Sequence, residues 1–420
     1  MKFHHLAFFV STALFADALP HLDLDMTATE YRSLLETRER QNRLDEAEPN
    51  KDSLQPVMDT GKRFLDWTIY INENRPKGQE ISLTNESTQL GWPIDQPRVS
   101  NPTIILDTFA KLKADMPKWL HKVLYEGAAF EKNPPVSDTE YVSWGLKVVR
   151  NYESASRWRL QEPFLGAYAA RKKDDVRGHY FLSKETDLER KLKNIATLSQ
   201  NEQTRLNTLL VSLCYITVAN ESSCKSGLQK VGAWVFFNQH KAAGQKKWDS
   251  FFVVPVQRPD VEWTGQSPNL FYLPFVNPNE ADVVDFLVNN IEDEWKWNSW
   301  QLRLKFQATA SGDTTHVKFR PGATPNVNGL GGSTITMDAN QPLTEYNVRW
   351  TIRHEFGHVL GFPDCYIEFY DSNQKTMISY QLDISNLMCS RKGKLQEKHY
   401  DELKRVYFKN EVSLPFGEAR

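Results

Sequence analysis

The chain has 420 residues, 40% of them hydrophobic and 25% charged, which excludes a chain-wide disordered or fibrous protein. Lys and Arg total 51 against 53 Asp and Glu, a net charge of −2, so no global basic excess exists to neutralise nucleic-acid phosphates. No apolar stretch of about 18 residues occurs, which argues against a membrane anchor.

Residues 1–18 read as a secretory signal peptide: Lys2 precedes the apolar run Leu6–Ala16, and Ala16-Asp17-Ala18 supplies a small-x-small cleavage pattern. Export bears on the four cysteines, Cys214, Cys224, Cys365 and Cys389. In an oxidising compartment an even number suggests two bridges. Three pairings are open, and proximity favours Cys214–Cys224 and Cys365–Cys389.

Along the chain, Thr27–Leu44 has helical character, Asp66–Ile71 (DWTIYI) reads as a short strand, and Pro and Gly punctuate a loop over Arg75–Pro102. From Ile104, Leu106, Phe109, Leu112, Met116, Leu120 and Leu124 recur at helical spacing, interrupted by Pro117. Tyr141–Glu153 and Glu185–Cys214 continue the helical pattern. Ala233–Phe237 and Phe251–Val256 are β-rich runs. The turn-rich segment Arg258–Asn269 is the expected boundary, placing a mainly helical region at 19–265 and a second unit at 266–420. In that unit Phe271–Val276, Leu302–Ala308, His316–Phe319 and Ser333–Ala339 read as strands, and Asn279–Trp295 as a helix. Thr344 is the expected cap of a helix running to Leu360, with Gly361 just past its end. The fold class is therefore α+β.

The chemistry lies in that last helix. His354-Glu355-Phe356-Gly357-His358 puts two imidazoles four residues apart on one face, where both reach one metal ion. Glu355 stands beside the first without being a ligand, the place for a general base. Gly361 allows a sharp turn, Pro363 keeps Phe362 extended, and Asp364 returns under the histidines as a third ligand. His399 is an alternative third ligand, and Glu397 or Glu402 would serve a different arrangement.

The stretch HEFGHVLGFPD resembles the HExxHxxGxx-His/Asp signature of the metzincin clan of zinc peptidases, in the Asp version of snapalysin-type members. Asn386-Leu387-Met388-Cys389-Ser390 resembles the clan's methionine turn. The resemblance spans about 270–420. It implies a small catalytic domain with a twisted mixed sheet, an active-site helix and a Met turn. It also implies Zn2+ held by His354, His358 and Asp364, with Glu355 as base and Met388 beneath the metal. Ser390 stands where some members carry a Tyr, so Tyr366, Tyr370 and Tyr380 are the candidates for stabilising an oxyanion. The strand containing Ser333, Thr334, Ile335 and Thr336 is the candidate for holding an extended substrate by main-chain bonds. With the Met turn beneath the metal, the resemblance also brings Cys365 and Cys389 together.

The implied activity is that of a secreted zinc endopeptidase acting on proteins or peptides. The alternative is a secreted zinc-stabilised binding protein without turnover, which would not need Glu355. The region 19–265 is either a propeptide masking the cleft or an accessory domain. Lys246-Lys247 is read as a dibasic loop where processing would occur. Asn85-Glu86-Ser87 and Asn220-Glu221-Ser222 are sequons.

Overall fold

The computed structural model describes residues 19–42, 53–84, 91–309 and 311–409; the expected signal peptide and the Asn85 sequon lie outside the described residues. The fold is mixed α and β, compatible with the α+β class. The helices are α1 (Ala28–Asn42), α2 (Gln55–Glu73), α3 (Pro102–Asp115), α4 (Lys118–Tyr125), α5 (Asp138–Gln161), α6 (Leu165–Ala170), α7 (Arg177–Ser183), α8 (Leu188–Lys193), α9 (Gln200–Val218), α10 (Glu221–Val231), α11 (Ala233–Asp249), α12 (Ala281–Leu287), α13 (Tyr346–Val359) and α14 (Glu397–Tyr407). The strands are β1 (Arg98–Ser100), β2 (Leu270–Val276), β3 (Lys296–Trp297), β4 (Trp300–Gln307), β5 (His316–Arg320), β6 (Asn326–Val327), β7 (Thr334–Asp338), β8 (Tyr366–Asp371) and β9 (Thr376–Gln381).

Three expected β-runs are not strands. Asp66–Ile71 lies inside α2, because Val57, Phe64, Trp67 and Ile71 fall on one helical face and are buried there. That face packs on α5 so closely that a Cβ at Gly145 would sit 2.6 Å from the Phe64 ring. Tertiary packing thus overrides the β-propensity of the run. Ala233–Phe237 opens α11: Ala233 and Phe236 are buried three apart while Val235 is exposed, a helical stripe against the Cys214–Cys224 region. Phe251–Val256 crosses beneath the end of α13 as turn and bend, with the Val254 amide donating to Glu402 Oε1 at 2.6 Å. Lys246-Lys247 also lies within α11, not in a loop, and Lys247 pairs with Asp174 at 2.6 Å.

The break at Pro117 separates α3 from α4. The helix expected over 279–295 is α12 continued through a π-type turn at Val288–Glu292. The helix α13 starts one residue later than expected, with Glu345 in the cap position; Thr344 instead offers its carbonyl to Arg349.

In the C-terminal half β2 runs parallel to β4, and β5 parallel to β7. A bridge between Phe275 and Thr315, with the Val276 amide on the Thr315 carbonyl at 2.8 Å, joins the two pairs. The strand order is therefore β3-β4-β2-β5-β7-β6, and the outermost strands β3 and β6 are antiparallel to their neighbours. Alternate side chains Phe271, Leu273 and Phe275 of β2 and Trp300, Leu302 and Leu304 of β4 are buried, as the period of two requires. Under this sheet Trp295 stacks on Phe362 and meets Phe356 edge-on, which seats α13.

A second sheet, β1-β9-β8, draws on both halves of the chain: Arg98, Val99 and Ser100 pair with Ser379, Ile378 and Met377. Behind it, Arg157 of α5 makes a bidentate contact with Glu368 of β8 at 2.7 and 2.8 Å, and also donates to Tyr31 Oη at 2.6 Å. Tyr380 donates to Asp175 at 2.8 Å. Residues 19–265 and 266–409 thus share a sheet and buried polar contacts. Breaking a buried pair from one side leaves an uncompensated charge, costing about 3–5 kcal/mol. Arg157→Ala should therefore destabilise the whole chain by that amount, read as a lower urea midpoint in a single transition seen by both Trp fluorescence and far-UV circular dichroism.

Candidate metal centre

The spacing of α13 puts His354 and His358 on one face, with ring centroids 4.8 Å apart and planes near perpendicular. The helix must end at once for Asp364 to return. Gly361 does this at φ +92°, and a Cβ there would sit 2.5 Å from the Val256 carbonyl and 2.7 Å from Val254 Cγ1. Both the dihedral and the close approach demand glycine. Asp364 Oδ1 then lies 3.2 Å from His354 Nε2 and 3.3 Å from His358 Nε2.

The other ring nitrogens decide the tautomers. His354 Nδ1 donates to the Leu387 carbonyl at 3.0 Å, and His358 Nδ1 to the Phe362 carbonyl at 2.8 Å. With Nδ1 protonated, each neutral ring aims a lone pair from Nε2 at a carboxylate oxygen that has no hydrogen-bond donor of its own. Three acceptors facing one another call for a cation between them. His354, His358 and Asp364 can thus hold a metal ion, and among the described residues no other group of three His, Cys, Asp or Glu side chains converges this way. Burial disfavours charge on His354 and Asp364, but their contact outweighs it: His354 is pushed up to about 10 and Asp364 is held well below the usual carboxylate range, so at neutral pH a proton on His354 Nε2 takes the place between the groups that a metal ion would claim from it. Glu355, 3% exposed, leaves Oε2 without a partner.

The turn around Met388 supports the centre from below. Met388 is buried under Gly357, where an added Cβ would run into its sulfur. The Cys365 amide donates to the Met388 carbonyl at 3.1 Å, and Cys365 and Cys389 form a disulfide with Cα atoms 4.5 Å apart. Cys214 and Cys224 form the second disulfide, joining α9 to α10.

His399 is not at the cluster. Its Nδ1 accepts the Gln396 amide at 2.9 Å, so Nε2 carries the proton and donates to Asn386 Oδ1 at 2.9 Å. Asn386 in turn accepts the Met388 amide at 2.8 Å. Glu402 is likewise engaged elsewhere, with Val254 and Arg405. Tyr380 is committed to Asp175, while Tyr366 sits within the field of Asp364 and Glu355; burial first, and then those charges, push its phenol well above the usual range.

The expected substrate strand is a correction. Ser333, Thr334, Ile335 and Thr336 present no free edge. The Ser333 carbonyl accepts from His316 and the Thr334 amide donates to Asn328 Oδ1; Ile335 and Thr336 pair with Val327 and Asn326 of β6 as well as with β5. The outer strand on this side is β6. Sequence reasoning missed β6 because two residues are too short to show alternation. It also missed the Leu387 and Phe362 carbonyls, since main-chain acceptors leave no mark on residue identity. Two surface cavities of about 620 and 870 Å³ lie between α1, α2 and α5, and beside α9 and α10; neither is lined by the cluster residues. No known family model, no curated protein and no solved structure matches this chain.

Two expectations follow. Asp364→Ala should weaken divalent metal binding by at least tenfold in a competitive chelator titration, whereas His399→Gln should not. Burial, reinforced by Lys398, lowers the His399 pKa to about 4, below the unfolded value of about 6.5. The unfolded state then binds more protons, so stability falls as pH drops from 7 through that window, by about 2 kcal/mol at pH 5. Urea midpoints across pH 5–7 should lose this component in His399→Gln.

Proposed function

We propose that the chain is a metal-dependent endopeptidase of metzincin type that uses Zn2+ held by His354, His358 and Asp364. The observation that carries this reading is the convergence of three acceptors beside an unpartnered, buried Glu355 carboxylate oxygen. A set of three nitrogen and carboxylate donors suits catalytic zinc, which keeps its fourth position for water; a purely structural site is usually closed by four protein ligands. The sheet order ending in an antiparallel outer strand and the buried methionine under α13 support the clan-level reading.

When bound, zinc supplies Lewis-acid polarisation of the scissile carbonyl and a lowered water pKa. The chain's own residues do the rest. Glu355 accepts a proton at Oε2 and returns it to the leaving amine. The Leu387 and Phe362 carbonyls hold both imidazoles in the tautomer that leaves Nε2 free. Tyr366, whose phenol is kept protonated by burial and then by nearby Asp364 and so remains a donor, is the tyrosine we assign to stabilising an oxyanion. We also propose export to an oxidising compartment. Both disulfides support it, and among the described residues no helix is long and apolar enough to cross a membrane. A binding protein without turnover would use the same ligands, but it gives no account of Glu355.

The test compares wild type with Glu355→Ala by metal analysis and digestion of a peptide library. The variant should retain about one zinc per chain and lose about 100-fold or more of the hydrolysis rate, the usual share of a general base. Undiminished hydrolysis in the variant would exclude this mechanism.

A further inference from the structure

The His354 ring belongs to α13, while the carbonyl that orients it belongs to Leu387, in the turn that carries Met388. The geometry of that bond depends on whatever holds α13 and the turn against each other. Glu294 touches both. It lies just past the π-type turn that extends α12 and is 9% exposed.

On one side, Glu294 Oε2 accepts from Arg353 Nη1 at 3.1 Å, and Arg353 immediately precedes His354. Arg353 Nη2 donates to Asn290 Oδ1 at 3.1 Å, the guanidinium lies over the Trp350 ring, and the Arg353 carbonyl accepts from Trp295 Nε1 at 3.3 Å. These contacts oppose both rotation of α13 about its axis and sliding along it, and either motion would carry the His354 ring with it.

On the other side, Glu294 Oε1 accepts from the Leu395 amide at 2.7 Å. Lys394, the residue before, runs alongside the Met388 turn: its amide donates to the Ser385 carbonyl at 2.9 Å, and its carbonyl accepts from the Leu387 amide at 3.2 Å. The residue whose carbonyl receives His354 is therefore held through its own amide.

The contacts close a ring that runs from Glu294 through Arg353, His354, Leu387, Lys394 and Leu395 back to Glu294. Its link to the metal centre is the 3.0 Å bond from His354 Nδ1 to the Leu387 carbonyl. Two of its links end on the carboxylate, the stronger class of hydrogen bond. Trp295, the next residue, stacks on Phe362, whose carbonyl receives His358 Nδ1. Glu292 is equally buried but faces elsewhere: it accepts from the Leu304 amide at 2.9 Å and from Arg303 at 2.6 Å, both in β4.

We propose that Glu294 is a positioning residue for the metal centre, its two oxygens setting the approach of His354 Nδ1 to the Leu387 carbonyl and so the direction of Nε2. Its effect on a bound ion rests on the metal-centre reading; the ring itself does not.

The test compares the wild-type chain with Glu294→Gln, which keeps the side-chain shape and the acceptor for Leu395 but turns a donor toward Arg353. Arg353→Met opens the ring from the other side and decides the matter if Glu294→Gln fails to fold. Glu292→Gln is the control for loss of a buried carboxylate outside the ring. The first readout is the magnetic resonance signal of the His354 Nδ1 proton in metal-free protein carrying isotope-labelled histidine, assigned by its disappearance in His354→Gln. The second is Zn2+ affinity by chelator competition, with the visible spectrum of the Co2+-loaded form. Both ring variants should shift the Nδ1 proton signal, weaken Zn2+ binding about tenfold, the lower end of what partners of metal ligands contribute, and alter the Co2+ spectrum. Glu292→Gln should lower the urea midpoint while leaving the signal in place and the affinity within twofold. An unmoved signal in the folded ring variants would overturn the proposal. So would a moved signal with unchanged Zn2+ affinity and Co2+ spectrum, or an equal loss of affinity in Glu292→Gln. A wild-type chain that takes up neither ion would sink the metal-centre reading, and the signal in metal-free protein would still decide the ring.

Discussion

Two main-chain hydrogen bonds carry the centre, from His354 Nδ1 to the Leu387 carbonyl and from His358 Nδ1 to the Phe362 carbonyl. Helical spacing brings the rings to one face, but it sets neither their rotation nor which nitrogen holds the proton. Each bond is worth only about 1 kcal/mol. It acts by fixing the ring rotation, with Nδ1 the outer donor and Nε2 the nitrogen turned toward Asp364. Because the carbonyls come from two loops, the cluster is only as well placed as those loops. The Cys365–Cys389 disulfide, the Cys365–Met388 main-chain bond and the His399–Asn386–Met388 chain fix them to each other and to α14. By the loop-entropy estimate a bridge across 24 residues contributes about 3 kcal/mol, more than either imidazole bond. The covalent link therefore lies beside the loops that orient the two imidazoles.

The wall behind the third ligand is made jointly by both halves of the chain. Asp364, Tyr366 and Glu368 follow one another at alternate positions into β8, and Glu368 is held by Arg157 from α5. β9 takes β1 as its outer neighbour, and Trp92 exchanges bonds with Gln381 at 2.8 and 2.7 Å. The rear wall of the centre thus draws on residues 92–177 as well as on the C-terminal half, across the division that the turn-rich composition of 258–269 invites. Those turn residues are themselves tied down: Arg258 pairs with Asp260 and donates to the Gly331, Gly332 and Asp313 carbonyls.

Much of the site was legible because its signals are local. The i, i+4 histidines, the adjacent glutamate, the glycine that ends the helix and the returning aspartate all lie within eleven residues, where chain geometry leaves few choices. The long alternating strands β2, β4, β5 and β7 were legible for the same reason. What failed was non-local. DWTIYI has strand-like composition and is helical because Tyr141, Gly145 and Tyr152 of a distant helix offer it a close-packed face. AWVFF is helical because α9 lies beneath it. The role of Ser333–Thr336 depended on whether a two-residue strand would cover their outer side, and no pattern in two residues announces that. Arg391, Asp23 and Asp25 carried no signal, because their partners are more than 350 residues away in sequence.

The two buried arginines differ in charge balance, and the difference separates a permanent contact from a releasable one. Arg157 faces a single carboxylate, Glu368, which Arg157 and Ser379 keep anionic against burial. Its remaining donors go to neutral oxygens of Tyr31, Leu22 and Asp23. That is a balanced buried pair, costly to break from either side. Arg391 faces three carboxylates, from Asp23, Asp25 and Glu30, with one positive charge. Burial and the neighbouring Asp23 push Asp25 up to about 6, so near neutral pH this cluster holds more negative charge than it neutralises. Uncompensated charge raises the energy of the docked state without disturbing its geometry. The segment Leu22–Glu30 is therefore well positioned yet less tightly bound than its count of hydrogen bonds suggests. A contact of this kind can be released without unfolding the two sheets it rests against.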